Sequence, residues 1–132
     1  MFAAPPASIA LSSYSAAAKP VAIVLKLQYE MQCGWPGPTI AVTFPTAERM
    51  ARVPRQAVLV NGQEPATAAL SRRTVSLTIA RPKGVMCDVI GPGTATVEFT
   101  RAAGIGNPRT RGVYPVTVQR GKLVLRTSFR IR

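Results

Sequence analysis

Histidine is absent from this 132-residue chain, and acidic residues are scarce, since five Asp and Glu stand against seventeen Lys and Arg. Without histidine, Ser–His–Asp triads, Cys–His nucleophile pairs and most zinc-binding arrangements are excluded. A hydrolase of the carboxylate-pair class needs two acids converging in a cleft, and the sequence suggests no such cleft. The acids are Glu30, Glu48, Glu64, Asp88 and Glu98. The sequence therefore predicts a protein that is not an enzyme and uses no cofactor or metal.

Long hydrophobic runs are also missing. The longest uninterrupted apolar run, 21–25, is far shorter than the roughly 20 residues of a membrane-spanning helix. Twelve prolines and ten glycines interrupt the chain too often for long helices. A hydrophobic content of 47% is nevertheless too high for a disordered chain. These features favour one domain made of many short strands, with no membrane insertion.

Alternation of apolar and polar residues locates the individual strands. The predicted strands span 8–12, 21–32, 39–45, 57–60, 65–70, 74–80, 94–100, 112–118 and 122–132. Asn61-Gly62 predicts a type I′ hairpin that joins 57–60 to 65–70. At most a single helical turn is expected, near 48–51, because Pro54 ends it.

The segment 102–118 organises the rest, because its turn-forming residues lead directly into an alternating strand. Gly104, Gly106 and the Asn107-Pro108 pair predict a turn. In the strand that follows, the even-numbered residues 114, 116 and 118 share the inward face. A turn or bulge at Arg120-Gly121 then moves the inward face of the last strand to odd-numbered residues.

Basic residues give the chain a net charge of +12, and several fall on predicted surfaces. Four lie on one face of the last strand and four lie in loops: Lys122, Arg126, Arg130 and Arg132 in the strand, and Arg72, Arg73, Arg109 and Arg111 in the loops. These eight predict polyanion binding. The polyanion would be an acidic cell-wall glycopolymer or polysaccharide if the protein is exported, and nucleic acid if it is internal. Aromatic residues make up only 6%, which argues against binding of single strands by base stacking.

Trp35 and the two cysteines are the other candidates for specific roles. Trp35 lies in a Pro/Gly-rich loop, where it is either a platform for sugar stacking or a cap on the end of the sandwich. Four predicted strands separate Cys33 from Cys87, and an even number of antiparallel crossings returns the chain to the same end. A Cys33–Cys87 disulfide is therefore expected in an exported protein, and two free thiols in a cytosolic one.

Six segments in this order resemble the immunoglobulin-like repeat domains of bacterial surface and S-layer-type proteins, over residues 8–131. They are SIALSSYSA (8–16), TIAVTFP (39–45), VLVNG (58–62), TVSLTI (74–79), AGIGNP (103–108) and GVYPVTV (112–118). The resemblance implies an all-β fold, an immunoglobulin-like antiparallel β-sandwich of about seven to nine strands. It also implies a non-enzymatic structural or adhesion module, secreted or at the cell surface, that packs against neighbouring copies or repeats.

The sequence also predicts where the folded domain begins. Residues 1–7 are expected to form a flexible leader before a single domain at 8–132. Surface adhesins suggest an isopeptide crosslink between Lys26 and Asn107 assisted by Glu98, although strand parity places Lys26 on a polar face. The alternative function is an intracellular or virion nucleic-acid-binding β-domain.

Overall fold

The computed structural model describes residues 7–31, 39–79, 91–120 and 123–132. It is an immunoglobulin-like β-sandwich, as predicted, in which two antiparallel sheets carry nine described strands. In chain order they are β1 (Ala7–Leu11), β2 (Ile23–Met31), β3 (Thr39–Thr43), β4 (Val58–Val60), β5 (Thr67–Ser71), β6 (Thr74–Thr78), β7 (Gly91–Phe99), β8 (Gly112–Arg120) and β9 (Leu123–Ile131). β1 begins one residue before the predicted domain boundary.

The four-stranded sheet has the order β1-β2-β7-β4, and the five-stranded sheet has the order β5-β6-β3-β8-β9. Within the first, β2 and β7 pair over their whole length, from Ile23 opposite Phe99 to Met31 opposite Gly91. Strands that are distant in sequence are thus neighbours in space. The edges of the five-stranded sheet are β5 and β9.

The core lies between the sheets and follows the predicted alternation. Ile23 and Leu25 of β2 are fully buried, as are Ile40 and Val42 of the facing sheet. Across the interface, the rings of Phe44 and Phe99 meet edge to face, with centroids 5.3 Å apart. Burying each such side chain contributes about 2 to 3 kcal/mol, so the two inward faces hold the sheets together.

The inward-facing residues are even-numbered in β8 and odd-numbered in β9 because the chain reverses its direction between the two strands. β8 and β9 form an antiparallel pair in which Arg120 lies opposite Leu123. Because residues 121–122 separate the two strands, every even-numbered position faces an odd-numbered one across the ladder. Val118 therefore lies opposite Leu125, and both are buried.

The predicted hairpin at Asn61-Gly62 is wrong in its pairing, although the turn itself forms. Asn61 and Gly62 both have positive φ, 51° and 82°, as a type I′ turn requires. However, β4 pairs with β7, whereas β5 pairs with β6 in the other sheet. The buried Pro65 has no N–H to continue a ladder, so the pairing after the turn stops at one bridge between Val60 and Gln63.

No helical turn forms at 48–51, the place where at most one was expected. Residues 46–47 form a non-helical turn, closed by a hydrogen bond from Glu48 N to Pro45 O (3.0 Å), and a 3₁₀ turn lies at Arg55–Ala57, with Pro54 at its N-cap. Proline suits this position because the first N–H groups of a helix have no partner inside it. A second 3₁₀ turn spans Arg101–Ala103. In the part of the chain that the structure describes, no helix is long and apolar enough to cross a bilayer.

Candidate functional site

One end of the sandwich gathers most of the positive charge. It comprises the ends of β1, β3, β7 and β9, the starts of β2, β4 and β8, and the β5–β6 turn. Backbone hydrogen bonds tie its connections together, as from Arg132 N to Tyr14 O (3.0 Å) and from Ala17 N to Pro108 O (2.9 Å). Eleven of the seventeen Lys and Arg lie here, and together they define the arginine end: Lys19, Arg49, Arg52, Arg55, Arg72, Arg73, Arg101, Arg109, Arg111, Arg130 and Arg132. All of them except Arg49 are exposed.

The structure places seven of the eight predicted polyanion-binding residues. Six belong to the arginine end: Arg72, Arg73, Arg109, Arg111, Arg130 and Arg132. Arg126 lies farther along β9, opposite Thr117, on the outer face of the edge strand. Lys122 is outside the described residues. Only Arg130 and Arg132 of the predicted row therefore belong to the larger basic region, to which the loop arginines contribute more than the strand does.

Five cations of the arginine end were not among the predicted polyanion-binding residues: Lys19, Arg49, Arg52, Arg55 and Arg101. They come from three separate connections, and no spacing in the sequence links those connections. Only the sheet topology brings them together. Their convergence is consequently a property of the fold.

Arg49 has a structural role at this end, unlike its exposed neighbours. Its Nε donates to Asn107 O (3.1 Å) and its Nη2 to Ala17 O (2.6 Å). The guanidinium lies against Gly106, where an added Cβ would come within 2.9 Å of Arg49 Nη2. A Cβ at 106 would therefore displace the Arg49 guanidinium from this position. Backbone bonds in both directions between Arg49 and Gly106 complete this joint.

Asn107 is fully buried and does more than form an Asn-Pro turn. Its Nδ2 donates to Ser13 O (2.8 Å) and Ser15 O (2.9 Å). Both side-chain N–H groups are thus used to hold the β1–β2 connection. Lys26, by contrast, is exposed on the outer face of β2. The structure does not bring the pair of the suggested isopeptide crosslink together.

Glu48 is the one acid in the connections of the arginine end, and it is buried, with 8% of its surface exposed. It lines a cavity of about 380 Å³ together with Thr46, Met50, Arg72 and Arg73. None of the described hydrogen-bond donors reaches either carboxyl oxygen. Burial raises the pKa of Glu48 from 4.5 to about 7, against a smaller opposing effect of the Arg49 charge.

Replacing Glu48 by glutamine is expected to stabilise the protein at pH 8 but not at pH 4.5. The native carboxyl holds its proton up to about pH 7, whereas the unfolded chain releases it near 4.5. The free energy of unfolding therefore falls as the pH rises across this window, on the order of 3 kcal/mol. E48Q removes this fall. Urea unfolding of both proteins at the two pH values measures the difference, and equal gains at both would contradict the assignment.

An uncharged surface, which we call the neutral face, lies on the outer side of the five-stranded sheet. Nine outward residues on β3, β5 and β6 are all Thr, Ser or Ala: Thr39, Ala41, Thr43, Thr67, Ala69, Ser71, Thr74, Ser76 and Thr78. They adjoin one another across the ladders, and the Oγ1 atoms of Thr43 and Thr74 are 3.0 Å apart. This neutral face carries no charge in a strongly basic protein.

Trp35, Cys33 and Cys87 lie outside the described residues, so neither the proposed sugar platform nor the disulfide is tested. Near the two cysteines, the pairing of β2 with β7 ends at Met31 opposite Gly91. Within the described ranges, no group of three potential metal ligands occurs.

Comparisons with known proteins identify the fold. No family model and no curated protein matches the chain. The structure is similar to BslA, a bacterial hydrophobin, with a TM-score of 0.58 and 16% identity, covering 96% of this chain and 94% of that one. It is also similar to the N-terminal domain of the Streptococcus gordonii adhesin Sgo0707, with a TM-score of 0.58 and 8% identity, covering 97% of this chain and 33% of that one. At such identities, the likeness establishes a shared fold.

Proposed function

We propose that this protein is a non-enzymatic module, secreted or held at a bacterial cell surface, that binds acidic polymers through its arginine end. The observation that carries the proposal is the convergence of eleven cations on one end, whose connections contain a single acid, Glu48. Clustered like charges raise the local concentration of a polyanion and release its counterions on binding. A fold shared with a hydrophobin and an adhesin domain supports a structural or adhesive role.

Arginine is suited to the acidic groups of wall polymers and polysaccharides. Its planar guanidinium donates paired hydrogen bonds to phosphate and carboxylate oxygens. Ten of the eleven cations are exposed and therefore available to a polymer. Since they come from separate connections, a flexible chain with many acidic groups matches them better than a small anion. We therefore name an acidic cell-wall glycopolymer or polysaccharide as the ligand class, which includes adhesion to such polymers.

Binding to heparin, as an acidic polysaccharide probe, is expected to weaken steeply with added salt. The variant Arg109→Glu/Arg111→Ser should bind at least about tenfold more weakly near 0.1 M salt, because it removes charge from the arginine end. The matched control Lys26→Glu/Gln28→Glu changes the net charge equally, but on the exposed outer face of β2. We expect it to lose no more than about twofold. Titrations across a salt series measure both variants.

Three results would contradict the proposal. Retention that is insensitive to salt would exclude charge as the determinant. Equal losses in the two variants would mean that net charge, and not the arginine end, governs binding. Tighter binding to DNA than to heparin or isolated wall polymer at the same salt would favour the intracellular alternative.

A further inference from the structure

The cavity beside the β5–β6 turn combines groups of opposite charge. Arg72 and Arg73 form the turn and line the cavity, and both are exposed. Arg73 is held in place, since its Nη1 donates to Thr46 Oγ1 (2.5 Å). Glu48 lines the same cavity with two carboxyl oxygens that no described donor satisfies. Both oxygens are buried, so any effect of Glu48 on a ligand in the cavity is electrostatic.

We propose that this cavity is an oxyanion site in which Arg72 and Arg73 bind a phosphate, sulfate or carboxylate group while Glu48 takes up one proton from solvent. The inference rests on the proposed function, because it identifies one place where acidic groups of the polymer bind and the condition that strengthens binding. Both arginines keep their charge throughout, and no covalent bond changes.

Anion binding in the cavity and protonation of Glu48 are coupled through electrostatics. An ionised Glu48 in the lining of the cavity would repel an anion bound there. A protonated Glu48 would not, because it carries no charge. Because a bound anion favours the protonated carboxyl, the protonated protein must bind the anion more tightly by the same factor.

Few other charged groups face Glu48. Arg49 is its chain neighbour, but that guanidinium is engaged with Asn107 O and Ala17 O. The segment 104–108, which packs against the loop at Arg49, contributes the uncharged Gly106 and Asn107. The pKa of Glu48, raised to about 7, places its titration in the neutral range. The absence of histidine removes the side chain that usually titrates there.

The test uses a short heparin oligosaccharide, whose sulfate groups stay ionised, at constant salt. Wild-type protein is expected to bind about three- to tenfold more tightly at pH 6 than at pH 8. E48Q should lose this dependence and bind at pH 8 at least as tightly as wild type. Calorimetry near pH 7 in buffers of different ionisation enthalpy should show uptake of a fraction of one proton by wild type and less by E48Q.

Two variants with the same change of charge test whether the pH dependence of binding originates at this cavity. Arg72 has a φ of 58°, which asparagine tolerates, so Arg72→Asn should preserve the turn. We expect it to reduce both affinity and pH dependence. Arg109→Asn makes the same charge change in another connection, and should reduce affinity while leaving the pH dependence intact.

The outcomes separate this inference from the proposed function. Salt-sensitive binding with no pH dependence, with the same dependence in E48Q, or with tighter binding at pH 8 would overturn the inference and leave the proposed function standing. Absence of binding at every pH, in wild type and E48Q alike, would overturn both.

Discussion

Replacing Asn107 by alanine is expected to lower the free energy of unfolding by about 2 to 4 kcal/mol. The substitution removes two hydrogen bonds, to Ser13 O and Ser15 O, and empties a fully buried position. Part of the loss comes from the carbonyl groups left without a donor and part from the cavity. Since these bonds join segments more than 90 residues apart, the β1–β2 connection should loosen with them.

Chemical denaturation near neutral pH measures this effect, and two variants serve as controls. Asn107→Asp keeps the shape but replaces the donating Nδ2 by oxygen, so it should destabilise at least as much as alanine. Asn61→Gly removes one hydrogen bond, from Thr96 N to Asn61 Oδ1, at an exposed position whose positive φ glycine accepts. Its loss should not exceed about 1.5 kcal/mol. A loss below about 1 kcal/mol for Asn107→Ala would mean that water replaces the amide.

A disulfide between Cys33 and Cys87 is the second large effect that we predict. Closing a loop of about 54 residues should stabilise the fold by ~4 kcal/mol in the chain-entropy model. Among the described residues between the two positions, the structure has the four strands that this prediction assumes, β3 to β6. Strands flanking them also pair at one end, where Met31 lies opposite Gly91 and Thr39 opposite Thr78.

Intact-mass measurement with thiol alkylation, before and after reduction, decides whether the bond exists. Protein from an oxidising compartment should show no alkylation until it is reduced. Reduction should then lower the denaturation midpoint, and Cys33→Ser/Cys87→Ser should reproduce the reduced protein. Two freely alkylated cysteines in the unreduced protein would show that the disulfide prediction is wrong.

The strands could be predicted from the sequence because burial on one face of a sheet imposes a period of two. Val97 and Phe99 of β7, for example, are inward as their alternation indicates. The pairing of strands, by contrast, depends on residues that are distant in the sequence. Asn61-Gly62 encodes a turn, but whether the chain then continues in the same sheet depends on partners such as β6 and β7, which come later in the sequence.

The candidate site was predictable only in part, for a related reason. Arg72 and Arg73 could be identified because a turn exposes them. Glu48, however, looks like any surface acid in the sequence, and its burial follows from the packing of its loop against the β5–β6 turn. Asn107 was likewise assigned only to a turn, because a proline follows it. Nothing in the sequence indicates its hydrogen bonds to the β1–β2 connection.

The separation of the arginine end from the neutral face determines how the molecule meets a charged surface. If the arginine end binds a negatively charged surface, as we propose, attraction of its cations turns that end toward the surface. The sandwich then stands upright, with its strands perpendicular to the surface. In this orientation the neutral face points sideways, away from the bound surface.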